Sequence, residues 1–383
     1  MTTMSTKNIL ILKFPFSSLF GGGEKHTITM VEGLRNKGFS FFLVSSCSVL
    51  LKEFKRRDWY GKKIWAPKEP VSKLSIIIFP LLAPVFFVRL VILLLNFRIR
   101  HKTKTVFCLS LTEKILITLP ARMFGMKVVW MEHVSPNRWL TMNPYRFFYT
   151  FYSRFAMTIV VSNAIREEFL EKLHMTPKRI MTIYNGVDMP EITMHDIRAR
   201  INQGEFIVGT IARLEKEKGI EYLIRAIDIA KDIIPKIRLI IVGNGTERRN
   251  LNWLVNSLHM TDRVQFVGFQ DHISDWIKNF DVFVLPSAIR ESFGIVLIDA
   301  MANLRPVIAS KIGGITEIVD HQETGILVEP KNPESIANAI IYLYNHPEET
   351  MEIIKKARAK VEENFTKQKM LDELEKMFIV LAR

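Results

Sequence analysis

Residues 281–299 read DVFVLPSAIRESFGIVLID, and their order decides the fold: a strand, a loop, then a helix. DVFVLP (281–286) is an apolar run closed by proline, the pattern of a strand buried on both faces. The spacing predicts a helix opening near Ser292. Glu291 and Asp299 bracket that start, and on a helix their separation of slightly over two turns puts both carboxylates on roughly one face. Ser292, Phe293 and Gly294 then lie where a helix start has unpaired N–H groups, which favour an anion. A glycine there admits a ligand close to the backbone. A carboxylate can accept from sugar hydroxyls while such N–H groups hold phosphate. The same residues also suit a plain surface helix start, with Glu291 complementing the dipole and Asp299 solvated. Their neighbours in the sequence decide between the two.

The chain has 383 residues, which favours two domains over one core. Cys47 and Cys108 lie in apolar runs with no CxxC, as buried free thiols of a reducing cytosol would. The opening, MTTMSTKNILILKF, enters an apolar strand and lacks the pattern of a signal peptide. Charge is divided unevenly: residues 1–190 carry 28 Lys+Arg against 11 Asp+Glu, and residues 191–383 carry 25 against 28. The first half is therefore suited to an anionic surface, phospholipid or nucleic acid. No zinc spacing, RNA-binding signature or basic–aromatic ladder supports nucleic acid, so an anionic membrane surface is the expected partner.

Both halves alternate short apolar strands with helical patterns. In the first they are NILILKF (8–14), SFFLVSS (40–46), TVFCLSL (105–111), KVVWMEH (127–133), MTIVVS (157–162) and RIMTIYN (179–185), with a helix over 24–37 after the first. In the second they are FIVGTIA (206–212), IRLIIVG (237–243), RVQFVG (263–268), DVFVLP, PVIAS (306–310) and GILVE (325–329). Such runs with intervening helices predict an α/β fold of two doubly wound, Rossmann-like domains. NGVDMPE (185–191) breaks the pattern, which sets domains of 1–187 and 188–365 and a final amphipathic helix over 366–383.

LSIIIFPLLAPVFFVRLVILLLNF (74–97) does not fit an ordinary crossover: it holds one charge, Arg89, and basic clusters flank it. It is long enough to span a bilayer. Pro80, Pro84 and the cost of Arg89 oppose a span, which would also divide one sheet across the membrane. A helix or helical hairpin lying in the membrane interface is the preferred reading, ahead of a wholly buried crossover helix.

Several short motifs follow strands. GGGE (21–24) opens a helix and permits close backbone approach to an anion, or makes a plain tight turn. It is not GxGxxG, so a dinucleotide site is not expected. IARLEKEKG (211–219) sets Arg213 and Lys218 at a strand's carboxyl edge, where they suit a diphosphate or form a solvated charge run. VGNGTER (242–248) and VGFQD (267–271) place Gly243 and Gly268 just after strands, and His133 ends KVVWMEH.

In this order these elements resemble the retaining glycosyltransferases of the GT-B fold, glycosyltransferase family four. The likeness covers essentially the whole chain and is strongest over about 180–330. ESFGIVLID fills the place of the family's E-x7-E motif, with GGITEIV (313–319) as the glycine turn after it. The resemblance implies two domains facing across a cleft and a nucleotide-sugar donor, most often a UDP-sugar. Arg213 and Lys218 would neutralise its diphosphate, with Gly22 and Gly23 approaching from the other domain. Glu291 would sit by the sugar hydroxyls, with Ser292, Phe293 and Gly294 beside it. Asp299 replaces the Glu that binds the ribose and, one methylene shorter, would hold it less closely. His133 would lie at the reacting centre. With no DxD motif, no metal or other cofactor is expected. With no second carboxylate placed for a covalent intermediate, front-face attack with retention is expected. The first domain would bind a lipid-linked or other glycan acceptor at the inner membrane face, and the last helix would cross back to it. A GT-B enzyme with a soluble acceptor, of the sugar-phosphate synthase or epimerase type, and a non-catalytic nucleotide-sugar-binding scaffold are the competing readings.

Overall fold

The computed structural model of the chain describes residues 7–17, 21–192 and 204–382. It divides into two compact units, Met1–Tyr184 with Met370–Arg383, and Asn185–Lys369.

Among the described residues the first unit holds seven strands: β1 (Asn8–Lys13), β2 (Ser40–Ser45), β3 (Gly61–Lys63), β4 (Thr105–Cys108), β5 (Lys127–Glu132), β6 (Met157–Val160) and β7 (Ile180–Thr182). They pair in parallel in the order β3-β2-β1-β4-β5-β6-β7. β1 lies in register with both β2 (Asn8 opposite Ser40) and β4 (Ile9 opposite Thr105), so the order reverses between β1 and β4. Every residue of β4 is buried, as expected of a strand covered on both faces. GKK of β3 is the strand that apolar patterning does not reveal, because all three residues are exposed on the sheet's edge. The Lys367–Ala382 helix closes this unit: Phe378 meets Phe39 and Phe107, each at 6.0 Å between ring centroids, and Lys37 pairs with Asp372 and Glu375.

The second unit repeats the winding with β8 (Phe206–Ile211), β9 (Ile237–Val242), β10 (Val264–Gly268), β11 (Val282–Leu285), β12 (Val307–Ser310) and β13 (Ile326–Val328). Their order is β10-β9-β8-β11-β12-β13, again all parallel, and reverses between β8 and β11. Its core sets Val208, Leu239 and Val284 of the sheet against Leu223, Ile227 and Ile340 of the covering helices. Ligands of open parallel sheets bind at the carboxyl edge where the order reverses. In these two units that edge is marked by Lys13 and Cys108, and by Ile211 and Leu285.

The apolar stretch before β4 forms one helix, Lys73–Arg100, so neither the hairpin nor the wholly buried crossover describes it. Ser72 caps it through a reciprocal pair with Ser75. Pro80 and Pro84 do not end it. A proline leaves the carbonyl four residues earlier without its helical donor. For Pro80 that carbonyl is Ile76, and the Tyr145 hydroxyl donates to it at 3.2 Å. One side of the helix, including Phe79, Phe86, Leu90 and Leu94, is buried; the opposite side is exposed.

Candidate active site

In the second unit the chain leaves β8 through Ala212 and Arg213 and makes a 3₁₀ turn, Lys216–Lys218, before the Ile220–Ala230 helix. It leaves β11 through Pro286 and Ser287. The two loops are pinned together, Ala288 N–H donating to the Glu217 carbonyl at 2.8 Å. Lys218 is thereby set against Glu291, Nζ to Oε2 at 2.7 Å. Ser287 Oγ, fully buried, donates to the same carboxylate oxygen at 2.9 Å. The Lys218 and Glu291 side chains keep only 15% and 14% of their surface, so solvent screens this pair far less than a surface ion pair.

Arg213 behaves differently. Its side chain is 61% exposed and donates to Glu217 Oε1 at 3.2 Å, so Arg213 and Lys218 have separate partners. Gly243 and Gly268 lie side by side at the ends of β9 and β10, Gly243 N–H donating to the Gly268 carbonyl at 2.8 Å. Gly243 has φ +136°, and a Cβ there would fall 2.0 Å from the Ala212 carbonyl oxygen. Only glycine lets the loops after β8 and β9 approach so closely. The Gly313–Gly314 turn braces the acidic loop from behind: Gly314 N–H donates to the Glu291 carbonyl at 3.0 Å, and a Cβ on Gly313 would meet that oxygen at 2.3 Å.

The helix after Glu291 begins at Ile295, three residues beyond the Ser292 start that the sequence predicts. Gly294 takes φ +102°, outside the helical region, and serves as its N-cap. Glu291 is therefore not on the helix, and the one-face argument linking it to Asp299 does not apply. Asp299 falls in the helix's second turn, half-buried, while the Phe293 ring turns inward to meet Phe365 edge-on at 5.6 Å. Ser292 stays in the loop, half-buried.

In the first unit Gly22 and Gly23 occupy the first turn of the Gly22–Arg35 helix, which begins two residues before the position read from sequence. Lys13, the last residue of β1, pairs with Glu24 of that turn. His133 follows β5. A Cβ on Gly23 would lie 3.1 Å from its Cδ2, so the glycine allows the imidazole against the helix start. His26, one turn further along, is 4% exposed and meets His133 edge-on at 4.9 Å between centroids. Neither ring nitrogen of His26, nor Nε2 of His133, has a partner among the described residues. Burial brings His26 down to about 4. Burial, then the charges of His26, Lys13 and Lys114, holds His133 well below its ordinary range. Both rings are neutral at pH 7, able to offer one donor and one acceptor each.

A polar layer supports these groups. Buried Lys114 pairs with Glu132 and donates to the Met131 carbonyl at 2.8 Å, and Tyr149 donates to Glu132 at 2.5 Å. Glu113 accepts from the N–H groups of Phe14, Leu109 and Ser110, and Glu69 from those of Phe16 and Leu111. Burial, then the charge of Glu69, pushes Glu113 up to about 8. These carboxyls fasten the segment leading to the glycines. Among the described residues no three His, Cys, Asp or Glu side chains are grouped as metal ligands.

Of the residues singled out from sequence, the structure joins Lys218 to Glu291 and Gly23 to His133, and leaves Arg213 at the surface. Ser287 and His26 are additions. His26 follows GGGEK, but a lone histidine at an apolar helical position reads as core, so only its contact with His133 reveals it.

Two parallel units of this winding, with paired charges at one reversal edge and a glycine–histidine contact near the other, define the GT-B class. The description "Glycosyltransferase Family 4" matches residues 20–190 and "Glycosyl transferases group 1" matches residues 193–360. The chain belongs to this glycosyltransferase family. It is 32% identical over 213 residues to N-acetyl-alpha-D-glucosaminyl L-malate synthase of Bacillus anthracis, covering 54% of this chain and 55% of the relative. It is 27% identical over 232 residues to the UDP-Gal:alpha-D-GlcNAc-diphosphoundecaprenol alpha-1,3-galactosyltransferase of Escherichia coli, covering 58% and 59%. The chain spans about half the length of the curated relatives it matches. The fold superposes on that of HepE of Anabaena, solved in complex with UDP, with TM-score 0.80 and 22% identity over 97% of this chain and 100% of HepE.

Proposed function

We propose that the protein is a retaining, metal-independent glycosyltransferase that moves a sugar from a UDP-sugar to a hydroxyl of a lipid-linked glycan. It would act in cell-surface polysaccharide or glycolipid synthesis, on the cytoplasmic side and peripherally at the inner membrane face. The observation that carries this reading is the shielded Lys218–Glu291 pair with Ser287, held at the strand-order reversal of a family member's second unit. The UDP bound by HepE supports the donor, and the diphosphoundecaprenol in the galactosyltransferase's name supports the acceptor.

The roles follow from the chemistry of each group. Lys218 and Arg213 counter the diphosphate charge that grows as the glycosidic bond breaks. Glu291, fixed by Lys218 and Ser287, accepts from a sugar hydroxyl and positions the ring. Gly243 and Gly268 keep the strand-end loops low enough for the nucleotide, and Asp299 takes the ribose. Gly22 and Gly23 present backbone to phosphate, and neutral His133 bonds the transferred sugar. The acceptor oxygen bonds to the anomeric carbon on the face from which the diphosphate oxygen leaves, and the acceptor proton passes to that oxygen. Proton NMR of the first-formed product tests this: the donor's anomeric configuration is expected, with turnover intact in EDTA. An inverted product would overturn front-face transfer, and loss of turnover restored by a divalent ion would overturn metal independence.

A further inference from the structure

The Lys73–Arg100 helix is, among the described residues, the helix long and apolar enough to cross a membrane. The first unit covers only one side of it. Leu74, Ile77, Leu81, Val85, Val88 and Ile92 recur every three or four residues, and each is more than half exposed. That spacing is one continuous helical face, directly opposite the buried stripe. An apolar stripe of about five turns left open to water is unusual for a soluble domain and marks an interaction surface.

A second element with exposed apolar side chains packs beside this helix. Tyr145, which holds Ile76 and packs on Phe79 at 5.2 Å, stands at the start of the Arg146–Ser153 helix. That helix presents Phe147, Phe148 and Phe151, 71%, 44% and 39% exposed, beside exposed Phe155. Trp65, 53% exposed, meets Phe86 at 6.1 Å, and Tyr60, 42% exposed, meets Phe97 at 6.1 Å. Between Tyr60 and Trp65 lies edge strand β3 with exposed Lys62 and Lys63.

Charge identifies the occupant. Residues 70–112 contain six Lys or Arg and no Asp or Glu, and residues 133–166 contain four Arg and no Asp or Glu. Exposed Arg89 lies on the helix itself. A second copy of this chain would meet the face with the same unbalanced positive charge. An anionic bilayer offers apolar depth for the stripe and phosphates for its cations.

We propose that the exposed stripe of Lys73–Arg100, the phenylalanines of Arg146–Ser153 and the flanking lysines form one docking surface for anionic phospholipid bilayers, with the helix lying in the interface. This deepens the membrane part of the function proposed above, but it is tested without turnover. Full-length protein is floated with vesicles of phosphatidylcholine alone and of phosphatidylcholine with phosphatidylglycerol. Binding is expected only with the anionic lipid, with release by carbonate. Lys62→Gln with Lys63→Gln is expected to weaken binding roughly fivefold per cation. Leu81→Glu and Val88→Glu are each expected to weaken it about tenfold or more, with circular dichroism and melting unchanged. Phe147→Ser supplies an independent variant away from the helix, with the same direction expected.

Failure to bind either vesicle, equal binding by the Glu variants, or resistance to carbonate would each overturn the inference. So would a dimer that Leu81→Glu makes monomeric while vesicles go unbound. Vesicle binding without donor turnover would support this surface and count against the transferase reading alone.

Discussion

Replacing Glu291 by Gln keeps the side chain's size and its ability to accept from Ser287, and removes only the charge facing Lys218. Lys218 then keeps an ammonium with 15% exposure and no counter-charge at 2.7 Å. Breaking a fully buried pair costs roughly 3–5 kcal/mol. Residual exposure and the bonds Gln retains reduce this to about 1–2 kcal/mol, a melting shift of roughly 2–8 °C for a unit of this size. The effect on transfer is larger, because a fixed electrostatic group near developing charge contributes about 100- to 1,000-fold to kcat. Lys218→Met removes the other partner and is expected to cost a similar factor. If the two act as one device, the double variant falls within about threefold of the worse single variant. The assay is kcat/KM for nucleotide release from a UDP-sugar, with melting recorded on the same preparations. Turnover of Glu291→Gln within about threefold of the parent would show that the carboxylate is not needed for transfer, and losses in the double variant that simply multiply would show that the two groups act independently.

Three further outcomes follow from the geometry. His26 has an ordinary value of 6.5 and is held at about 4 in the fold. As pH falls from 6.5 towards 4 the unfolded chain takes up a proton that the folded chain refuses, so stability present above 6.5 is lost at about 1.4 kcal/mol per pH unit, about 3 kcal/mol in all. Urea midpoints at pH 7.5 and 5 should show this fall in the parent and a shallower one in His26→Phe; identical slopes would contradict it. Gly313→Ala puts a Cβ against the Glu291 carbonyl at a backbone φ of +51°. It should lower stability by more than about 1 kcal/mol and raise KM for the donor, read by melting and kinetics. Tyr145→Phe leaves the Ile76 carbonyl without its donor beside Pro80 and should cost about 1 kcal/mol in urea unfolding.

The strands were the legible part of this chain. A run such as VFVL is apolar throughout because a parallel sheet is covered on both faces, so it appears without alternation to confuse it. β3 escapes because an edge strand need not be apolar: GKK has nothing buried to report. Pro80 and Pro84 read as breaks, yet the helix runs on, since a hydroxyl 69 residues away replaces a missing backbone donor. Local sequence cannot announce such a partner. In the candidate site, Glu291 and Lys218 stand out because each charge follows a strand at a reversal edge. Ser287 does not, since a serine beside a proline marks any loop. The late start at Ile295 has a visible signal in Gly294, which is read as ligand access but acts here first as a helix cap at φ +102°.

Nucleotide release from a panel of UDP-, GDP- and ADP-sugars, with and without a bacterial lipid extract, separates sugar transfer from donor binding alone. Turnover of a UDP-sugar, strongly stimulated by the lipid fraction, is the predicted result. Donor binding with no release under any condition would contradict transfer and make the protein a nucleotide-sugar-binding scaffold.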